Sequence, residues 1–512
     1  MGSFILNLLF FLSFIVLFSC TENKVVIPEQ EKDFCSIIHL NDSISLSEEL
    51  ESVNDLMETK TGVYVLEEGD KAMITRAWLT EHAEKSIDIQ YFIFSTDNVG
   101  LIACDYLVRA ADRGVKIRIL VDDIMVDAGT HEILTMDSHE NIEIKIYNPG
   151  VNLGKNIFQK IKKFGTDFIG ANQRMHNKTF IVDGKITITG GRNIADEYFD
   201  YDHEYNFRDR DVLLLGKVTK DVQKSFDGFW NYSLSIDVKR LVTEPDNDFK
   251  AQDRFHRLHQ YACNPENFWP QVREKIKNTL SAFKDIQSSG ELVWLDSVAF
   301  VSDIPGKFDK TISAGGGVTT ATLINLILSA KTSVDIQSPY LITTEIGEKL
   351  FDAVVKRGVK VRILTNSLSS TDNLEAFAGY QKCRSNLLNT GIRIFEFKPD
   401  APVRFNIMTS DLQKKLNYTP IFGLHAKTMV IDGAITVIGT FNLDPRSANL
   451  NTECFAVVRS AKISSSVLKG MEEEFKSENS WETTLDSNPD SKAGIKKQIK
   501  AITRRAVPKG IL

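Results

Sequence analysis

The sequence is poor in cysteine and has no excess of positive charge. Its six cysteines among 512 residues include no CxxC pair, so we expect neither a zinc site nor a disulfide framework. The formal net charge of −7 at pH 7 gives no overall attraction to nucleic acid, which we therefore do not expect as a partner. The triple glycine Gly315-Gly316-Gly317 lacks the Gly-Lys-Ser/Thr of a phosphate-binding loop, and its expected role is a flexible joint.

The sequence also lacks an apolar run of the roughly 20 residues that cross a bilayer as a helix. The run from Ser3 to Ser19 is shorter and has the length of an export-signal core. It leads into Leu17-Phe18-Ser19-Cys20, which resembles a bacterial lipobox. We therefore expect residues 1–20 to be a signal peptide or lipoprotein anchor with Cys20 lipidated; an uncleaved N-terminal anchor is the alternative. Both predict a protein at the cell membrane, on its extracytoplasmic face.

What the sequence does contain is one polar pattern that occurs twice with the same spacing. His176-Asn-Lys178-Thr-Phe-Ile-Val-Asp183 is matched by His425-Ala-Lys427-Thr-Met-Val-Ile-Asp432, and each copy continues through a GxxN pattern to Asn193 or Asn442. Two upstream blocks repeat as well: Ala83–Gln90 with Ala330–Gln337, and Arg113–Leu120 with Arg357–Leu364. A repeat of such length indicates duplicated domains rather than a solenoid.

The first copy follows a strand–helix–strand pattern. Ile87–Phe94 and Lys116–Val121 have the apolar composition of buried strands, and Gly100–Arg113 between them has an apolar helical face. Such a unit favours parallel strand pairing and an α/β fold. The dipeptides Asp183-Gly184 and Asp432-Gly433 lie between apolar strands and predict hairpins.

The repeats and the changes in composition predict the domain organisation. We expect a tether over residues 21–45, a first domain over 46–245, a helical connection over 246–290, a second domain over 291–485 and a basic tail over 486–512. Because both motifs lie in one chain, we expect the protein to function as a monomer.

The repeated residues suit phosphoryl transfer. His176 and Lys178 are two residues apart on a strand, so they emerge on one face, as do His425 and Lys427. Lysine and asparagine are poor metal ligands but good donors to phosphodiester oxygens, so we expect neither a metal nor a cofactor. One histidine can attack phosphorus while the other protonates the leaving alkoxide, which gives a phosphohistidine intermediate. The lysines, Asn193 and Asn442 are expected to hold the phosphate oxygens.

Four acidic residues accompany the motif. Asp183 and Asp432 precede glycine at the predicted hairpin tips, where a turn role explains them; a direct part in catalysis is the alternative. Each histidine also needs a partner that fixes its tautomer. Asp211 and Glu453 directly precede apolar strands, so we expect them to orient the histidines; solvated strand-end acids are the alternative.

The doubled pattern resembles the phospholipase D superfamily with two His-Lys-Asp (HKD) motifs. The stretches Arg174–Lys178, Gly190–Phe199, Ser302–Lys307 and Ser338–Tyr340 are similar to those of bacterial cardiolipin synthases of the third type. The resemblance implies two duplicated α-β-α sandwich domains related by a pseudo-twofold axis, with the active site at their interface. It also implies His176 as nucleophile and His425 as general acid and base. Gly191 and Thr440 stand where the family often has serine.

The family resemblance implies a membrane-bound phosphatidyltransferase that forms cardiolipin from phosphatidylglycerol and a second phospholipid. A phospholipase D that releases phosphatidic acid would use the same residues with water as the acceptor. An exported nuclease and a noncatalytic scaffold are more distant alternatives.

Two further segments bear on membrane contact. The segment 155–164 has apolar residues on one helical face and lysines on the rest, which predicts an interfacial helix or a core helix. Lys492–Lys509 contains basic residues and no acid, which predicts attraction to anionic headgroups or a solvated tail.

Overall fold

The computed structural model describes residues 45–123, 130–150, 172–241, 251–268, 282–307, 316–407 and 420–507. Three predicted features lie outside these ranges: the segment 1–20 with Cys20, nearly all of the tether, and the amphipathic segment 155–164. They stay predictions.

Helices and strands alternate along both halves. The helices within the described ranges are α1 (Leu46–Leu50), α2 (Asn54–Thr59), α3 (Gly69–His82), α4 (Asn98–Asp112), α5 (Thr130–Asp137), α6 (Thr219–Trp230), α7 (Ala251–Ala262), α8 (Ala282–Ser288), α9 (Val318–Ser329), α10 (Glu345–Lys356), α11 (Leu374–Asn389), α12 (Arg404–Ile407), α13 (Pro445–Asn449), α14 (Ala461–Phe475) and α15 (Ile495–Arg504). The strands are β1 (Thr61–Leu66), β2 (Ser86–Tyr91), β3 (Lys116–Asp122), β4 (Ile142–Tyr147), β5 (Thr179–Val182), β6 (Ile186–Gly190), β7 (Tyr205–Arg208), β8 (Asp211–Gly216), β9 (Ser235–Asp237), β10 (Val293–Leu295), β11 (Val298–Ser302), β12 (Ser333–Gln337), β13 (Lys360–Asn366), β14 (Arg393–Phe397), β15 (Ile421–Leu424), β16 (Thr428–Ile431), β17 (Ile435–Gly439), β18 (Cys454–Arg459) and β19 (Ser480–Thr483).

The strands form two large sheets with matching centres. The first has the order β10-β1-β8-β6-β5-β2-β3-β4-β9, and the second has the order β11-β18-β17-β16-β12-β13-β14-β19. In each, three parallel strands adjoin an antiparallel hairpin: β2-β3-β4 with β5-β6, and β12-β13-β14 with β16-β17. The predicted α/β fold, its duplication and the parallel pairing are confirmed. The strand β10, which falls within the predicted second domain, pairs with β1 in the first sheet.

Local chemistry explains the boundaries of the first repeat unit. Helix α4 begins after Asp97, whose side chain accepts a hydrogen bond from the backbone N–H of Gly100. The chain turns after α4 at Gly114, whose φ of 96° is in the left-handed region that favours glycine. It then enters β3, whose alternate residues Ile117 and Ile119 are buried. The strand–helix–strand unit predicted from the sequence is therefore present.

Strand pairing decides where the repeated motifs lie. Strand β5 runs antiparallel to β2, with Thr179 opposite Gln90 at the end of β2. In the second sheet Thr428 is likewise opposite Gln337. The residues just before β5 and β16 therefore lie at the carboxyl edge of the parallel strands, where open α/β sheets bind ligands.

The two halves share an apolar interface and a small sheet. Buried side chains of both halves form one cluster, in which Val212 and Leu214 of β8 pack with Val430, Ile438 and Ala456 of the second sheet. In addition, β7 of the first half pairs in parallel with β15 of the second. These contacts bring the carboxyl edges of the two sheets together.

The cysteines and the helices bear on two further expectations. Among the described cysteines, Cys104, Cys383 and Cys454 are free and Cys263 is disulfide-bonded, whereas we expected no disulfide framework. Within the described ranges, no helix combines the length and apolar character that crossing a bilayer requires.

Candidate active site

The two repeated histidines lie at the interface between the halves. His176 and His425 are buried, with 7% and 6% of their surface exposed. The backbone N–H of His176 donates to the carbonyl oxygen of Thr452 at 3.0 Å, and that of His425 donates to the carbonyl oxygen of Arg208 at 2.8 Å. Each histidine is thus fixed by the backbone of the opposite half, so the site depends on the association of both halves.

The carboxylates that contact the histidines also cross the interface. Nδ1 of His176 is 2.8 Å from Oε2 of Glu453, and Nδ1 of His425 is 2.6 Å from Oδ2 of Asp209. An ionised carboxylate can accept hydrogen bonds but cannot donate them. In a neutral imidazole beside such a carboxylate, the proton is therefore on the nitrogen that faces it, Nδ1. With the proton on Nδ1, the lone pair of each ring lies on Nε2.

The partner of His425 is therefore Asp209 and not Asp211, which corrects the prediction. The Asp211 carboxylate instead accepts a hydrogen bond from Arg76 at 2.8 Å. The backbone N–H of Gly191 donates to Arg210 and that of Thr440 donates to Cys454, so Asp209 occupies the position that Glu453 has in the second half. Residues two apart on an extended chain point the same way, and for this reason the sequence did not distinguish Asp209 from Asp211.

The two lysines lie against the histidines. Nζ of Lys178 donates to the carbonyl oxygen of His176 at 2.9 Å, and Nζ of Lys427 is 2.9 Å from Nε2 of His425. Burial, together with the positive charge of Lys427, lowers the pKa of Lys178 to about 7. Burial lowers the pKa of Lys427 to about 8. Two buried ammonium groups are costly without an anion between them, so the site favours an anionic ligand.

The same environment keeps both imidazoles neutral. Burial and the adjacent lysines lower the pKa of His176 well below its usual range. Burial and Lys427 lower the pKa of His425 to about 4, although Asp209 opposes this. Neutral imidazole has the free lone pair that a nucleophile or a base needs.

The two carboxylates carry different charge at neutral pH. Burial raises the pKa of Glu453 to about 7. Burial also disfavours ionisation of Asp209, but the adjacent His425 and Lys427 outweigh it and hold the pKa of Asp209 well below its usual range. Asp209 is therefore ionised at neutral pH, whereas the pKa of Glu453 lies close to neutral pH.

One hydroxyl distinguishes the two half-sites further. Thr440 donates its side-chain hydroxyl to the carboxylate of Glu453. At the corresponding Gly191, an added Cβ would lie 2.0 Å from Oδ1 of Asp209. The Asp209 carboxylate thus occupies the space in which a side chain at residue 191 would begin, so the first half has no hydroxyl there.

Aromatic rings line the histidines. The Phe92 ring is edge-on to His176 with centroids 4.9 Å apart, and Tyr198 is edge-on to His425 at 5.1 Å. Phe207 lies 4.7 Å from His425. Neither these rings nor Asp209 could be recognised as site residues from the sequence, because they belong to separate elements that only the fold brings together.

The structure describes both predicted phosphate-binding asparagines, and one of them contacts a ring beside a histidine. Oδ1 of Asn193 accepts a hydrogen bond from the backbone N–H of Ile93 at 3.1 Å, and its side chain also contacts Tyr198, the ring beside His425. Asn442 is buried, and its Oδ1 has no hydrogen-bond partner within the described part of the chain. The amide nitrogen of Asn442 could donate to a phosphate oxygen, and this role stays a prediction.

Asp183 and Asp432 lie elsewhere, which corrects their inclusion among the catalytic residues. The Asp183 carboxylate accepts hydrogen bonds from the backbone N–H groups of residues 84–86, at 2.7–3.0 Å. The Asp432 carboxylate binds the backbone of residues 331–333 in the same way. Both residues end the motif strands, so they are at the opposite edge of the sheet from the histidines, about 20 Å away by strand rise. Their role is to fix the start of the adjacent strand.

The described ranges contain no group of three His, Cys, Asp or Glu side chains arranged to hold a metal ion. The metal-free mechanism stays a prediction.

Comparison with known proteins identifies the family. A family model described as "Cardiolipin synthase, PLD-like domain" matches residues 79–230 and 323–478, one stretch in each half. The chain belongs to this phospholipase D-like family. Its two matched stretches contain both histidines, both lysines, Asp209 and Glu453.

Individual relatives agree with this membership. Cardiolipin synthase C of Escherichia coli (strain K12) is 33% identical over 413 residues, which cover 78% of this chain and 81% of that protein. Cardiolipin synthase 1 of Bacillus cereus is 26% identical over 441 residues, covering 86% of this chain and 70% of that protein. Among solved structures, the phosphatidylserine synthase of Haemophilus influenzae aligns with a TM-score of 0.57 at 13% identity, over 91% of this chain and 100% of that chain. This last likeness concerns the fold alone.

Proposed function

We propose that this protein is a phosphatidyltransferase that forms cardiolipin from phosphatidylglycerol and a second phospholipid. The observation that carries the proposal is the pairing of His176 and His425, each bound at Nδ1 by a carboxylate of the opposite half and each beside a buried lysine. Two neutral imidazoles among buried cations suit a two-step transfer of a phosphodiester. The names of the relatives support a phospholipid as the substrate.

In the proposed first step, Nε2 of His176 attacks the phosphorus of the donor lipid, which is phosphatidylglycerol or phosphatidylethanolamine. A P–N bond forms, the P–O bond to the headgroup alcohol of the donor breaks, and His425 transfers a proton to the departing oxygen. In the second step His425 takes the proton of a headgroup hydroxyl of a phosphatidylglycerol molecule, whose oxygen attacks phosphorus as the P–N bond breaks. The proton and the electron pairs balance over the two steps, and both histidines return to their initial state.

The unequal carboxylates support this division of roles. Asp209 is ionised and stabilises a positive charge on His425, as a general acid requires. The pKa of His425 is about 4 without substrate, but a bound phosphodiester adds a negative charge that favours the imidazolium. Burial and the adjacent lysines hold the pKa of His176 well below its usual range, and the raised pKa of Glu453 makes that carboxylate a weaker support for a positive charge. The His176 imidazole therefore stays neutral and nucleophilic.

Lys178 and Lys427 are proposed to hold the nonbridging oxygens of the phosphate. Their lowered pKa values should return toward the ordinary range when an anion binds between them. Asn193 and Asn442 are proposed to donate from their amides to the same oxygens. Each interaction strengthens as charge accumulates on the oxygens in the pentacoordinate state.

The proposed location is the cell membrane, with attachment through the N-terminal segment. Cys20 and the rest of residues 1–20 carry this proposal on sequence alone. A single chain contains both half-sites, which supports activity as a monomer.

The test is to incubate the full-length protein with vesicles of phosphatidylglycerol, with and without phosphatidylethanolamine, and to analyse the lipids by mass spectrometry. Cardiolipin with released glycerol would support the transferase with phosphatidylglycerol as both substrates, and released ethanolamine would identify phosphatidylethanolamine as the second lipid. Phosphatidic acid without cardiolipin would replace the proposal with a phospholipase D. Unchanged lipid would reject both.

A further inference from the structure

The C-terminal helix α15 presents apolar side chains to solvent. Ile495, Ile499 and Ile502 are 75%, 57% and 60% exposed, and their i, i+4, i+7 spacing aligns them in one stripe. Contact between exposed isoleucine side chains and water is unfavourable in free energy. The helix that carries the stripe packs on the rest of the protein. The stripe is therefore an ordered surface and not part of a frayed chain terminus.

Specific contacts dock α15 on the second half. Ala501 is buried against it, and Nζ of Lys497 donates to the carbonyl oxygens of Ser369 and Thr371 at 3.0 and 2.8 Å. Near the other end, Arg504 forms an ion pair with Glu375 of α11 at 2.9 Å. These contacts use one face of the helix and leave the isoleucine stripe outside.

The charge around the stripe is of one sign. Lys496 and Lys500 lie beside it, both are exposed, and neither has an ion pair with any described residue. The segment Lys492–Lys509 contains no acidic residue. Exposed apolar side chains flanked by lysines match the boundary of a bilayer, where the apolar groups enter among the acyl chains and the lysines meet anionic headgroups. Nucleic acid would satisfy the lysines but would leave the isoleucines in water.

The helix is also close to the active site. The loop that accepts hydrogen bonds from Lys497 includes Ser370, whose carbonyl oxygen accepts the hydroxyl of Tyr205. The Tyr205 ring is 5.0 Å from the Phe207 ring, which in turn is 4.7 Å from His425. These contacts place α15 on the same side of the molecule as the His425 half-site.

We propose that α15 is a membrane-docking helix that inserts Ile495, Ile499 and Ile502 into the surface of a bilayer rich in anionic phospholipid and holds the active-site edge against it. From the sequence, attraction of the basic tail to anionic headgroups and a solvated tail were equally expected. The exposed isoleucine stripe and the docking of its helix favour the first. The proposal concerns a surface and does not depend on the reaction that the site performs.

The test is hydrogen–deuterium exchange of the full-length protein, measured at residues 495–505 with two kinds of vesicle. On vesicles that contain phosphatidylglycerol, exchange in α15 should slow by about tenfold or more, and on pure phosphatidylcholine vesicles it should change little. Because all variants keep the run Ser3–Ser19, attachment through that run is common to every measurement.

Two variants and one control sharpen the test. The triple variant Ile495→Ser, Ile499→Ser, Ile502→Ser and the double variant Lys496→Glu, Lys500→Glu should both lose the slowing. The control Leu56→Ser, Leu328→Ser removes exposed apolar side chains from α2 and α9 and should keep it.

Three outcomes would overturn the proposal. They are unchanged exchange on anionic vesicles, equal slowing on both kinds of vesicle, and slowing without vesicles that grows with protein concentration, which would assign the stripe to self-association. Since the readout is local and needs no turnover, a failure of the proposed reaction would leave this result unaffected.

Discussion

The two half-sites have the same backbone plan but differ in charge. In one, His176 contacts Glu453, which also accepts the hydroxyl of Thr440. In the other, His425 contacts Asp209, which fills the space beside Gly191. The pKa of Glu453 is raised to about 7, whereas that of Asp209 is held well below its usual range. A duplicated site can thus assign different roles to equivalent histidines through the carboxylates behind them.

Removing either histidine should reduce turnover more than any other change. His176→Ala should lower turnover by about 10⁴-fold or more, because no nucleophile remains. His425→Ala should lower it by about 10²–10⁴-fold, because proton transfer is lost. Initial rates on phosphatidylglycerol vesicles measure both, with His256→Ala on the exposed face of α7 as the control.

The same variants test which histidine is the nucleophile. In His425→Ala, a phosphatidyl group should accumulate on His176 and be found by mass spectrometry of the peptide that contains it. An adduct on His425 in the His176→Ala protein would reverse the assignment. Unchanged thermal unfolding of both variants is needed to attribute the losses to chemistry.

Neutralising the two carboxylates should have the second-largest effect on turnover, and the size of the loss should differ between the half-sites. Asp209→Asn should lower kcat by about 10³-fold, since it removes a full charge that supports the imidazolium of His425. Glu453→Gln should lower kcat by only about tenfold, since the pKa of Glu453 is raised and its carboxylate carries less negative charge at pH 7 than that of Asp209. Equal losses in the two variants would contradict the proposed asymmetry.

The pH dependence of kcat/KM provides an independent measure of the pKa of Glu453. Ionised Glu453 supports the Nδ1–H of His176, so its titration near pH 7 should give kcat/KM of the parent protein an acid limb, while loss of the lysine protons should lower kcat/KM at higher pH. The acid limb should be absent in Glu453→Gln. An unchanged acid limb in that variant would mean that another group controls it.

The lysines should link catalysis to stability. Lys178→Met and Lys427→Met should each lower turnover by about 10²–10³-fold, because a donor to the phosphate is lost. Their pKa values of about 7 and 8 lie below the unperturbed value of about 10.4, so the unfolded chain binds more protons between those limits. The free energy of unfolding of the parent should therefore rise with pH across that window, by up to about 1.4 kcal/mol per pH unit for each lysine.

Chemical denaturation at several pH values tests this linkage. The slope contributed by Lys178 should begin near pH 7 and that of Lys427 near pH 8, and each should disappear in the matching Met variant. Lys360→Met, at an exposed position that begins β13, is the control. A slope that persists in both active-site variants would contradict the lowered pKa values.

The smallest expected effect is that of the one hydroxyl that distinguishes the half-sites. Thr440→Ala removes a hydrogen bond that stabilises ionised Glu453, so the pKa of Glu453 should rise and the acid limb should move to higher pH by less than about one unit. The rate well above that limb should change less than about tenfold. A shift to lower pH would show that the hydroxyl favours the protonated acid instead.

Much of the fold could be predicted because it depends on local patterns. The apolar runs of β2 and β3 and the helical face of α4 predicted a parallel unit, and the Asp-Gly pairs predicted both hairpins. The sheet to which the edge strand β10 belongs was harder to predict, because a short strand can pair with whichever sheet has a free edge. Its pairing with β1 follows from the packing of the halves.

The active site was predictable where it repeats and not where it crosses the interface. The repeated spacing identified His176, His425 and both lysines. It gave no means to choose Asp209 over Asp211, which have the same orientation on the chain. It also grouped Asp183 and Asp432 with the histidines, although both lie at the opposite edge of their sheets.

Periodicity and repetition are properties of the chain, so the amino-acid sequence was enough to predict a duplicated α/β protein with two copies of one phosphate-handling pattern. The packing of the two halves sets which carboxylate contacts which histidine, and it supplies each carboxylate from the opposite half. The tertiary structure also shows that the basic tail is a docked helix with an uncovered isoleucine stripe. Contacts between distant segments, and the desolvation that shifts each pKa, exist only after the halves pack together.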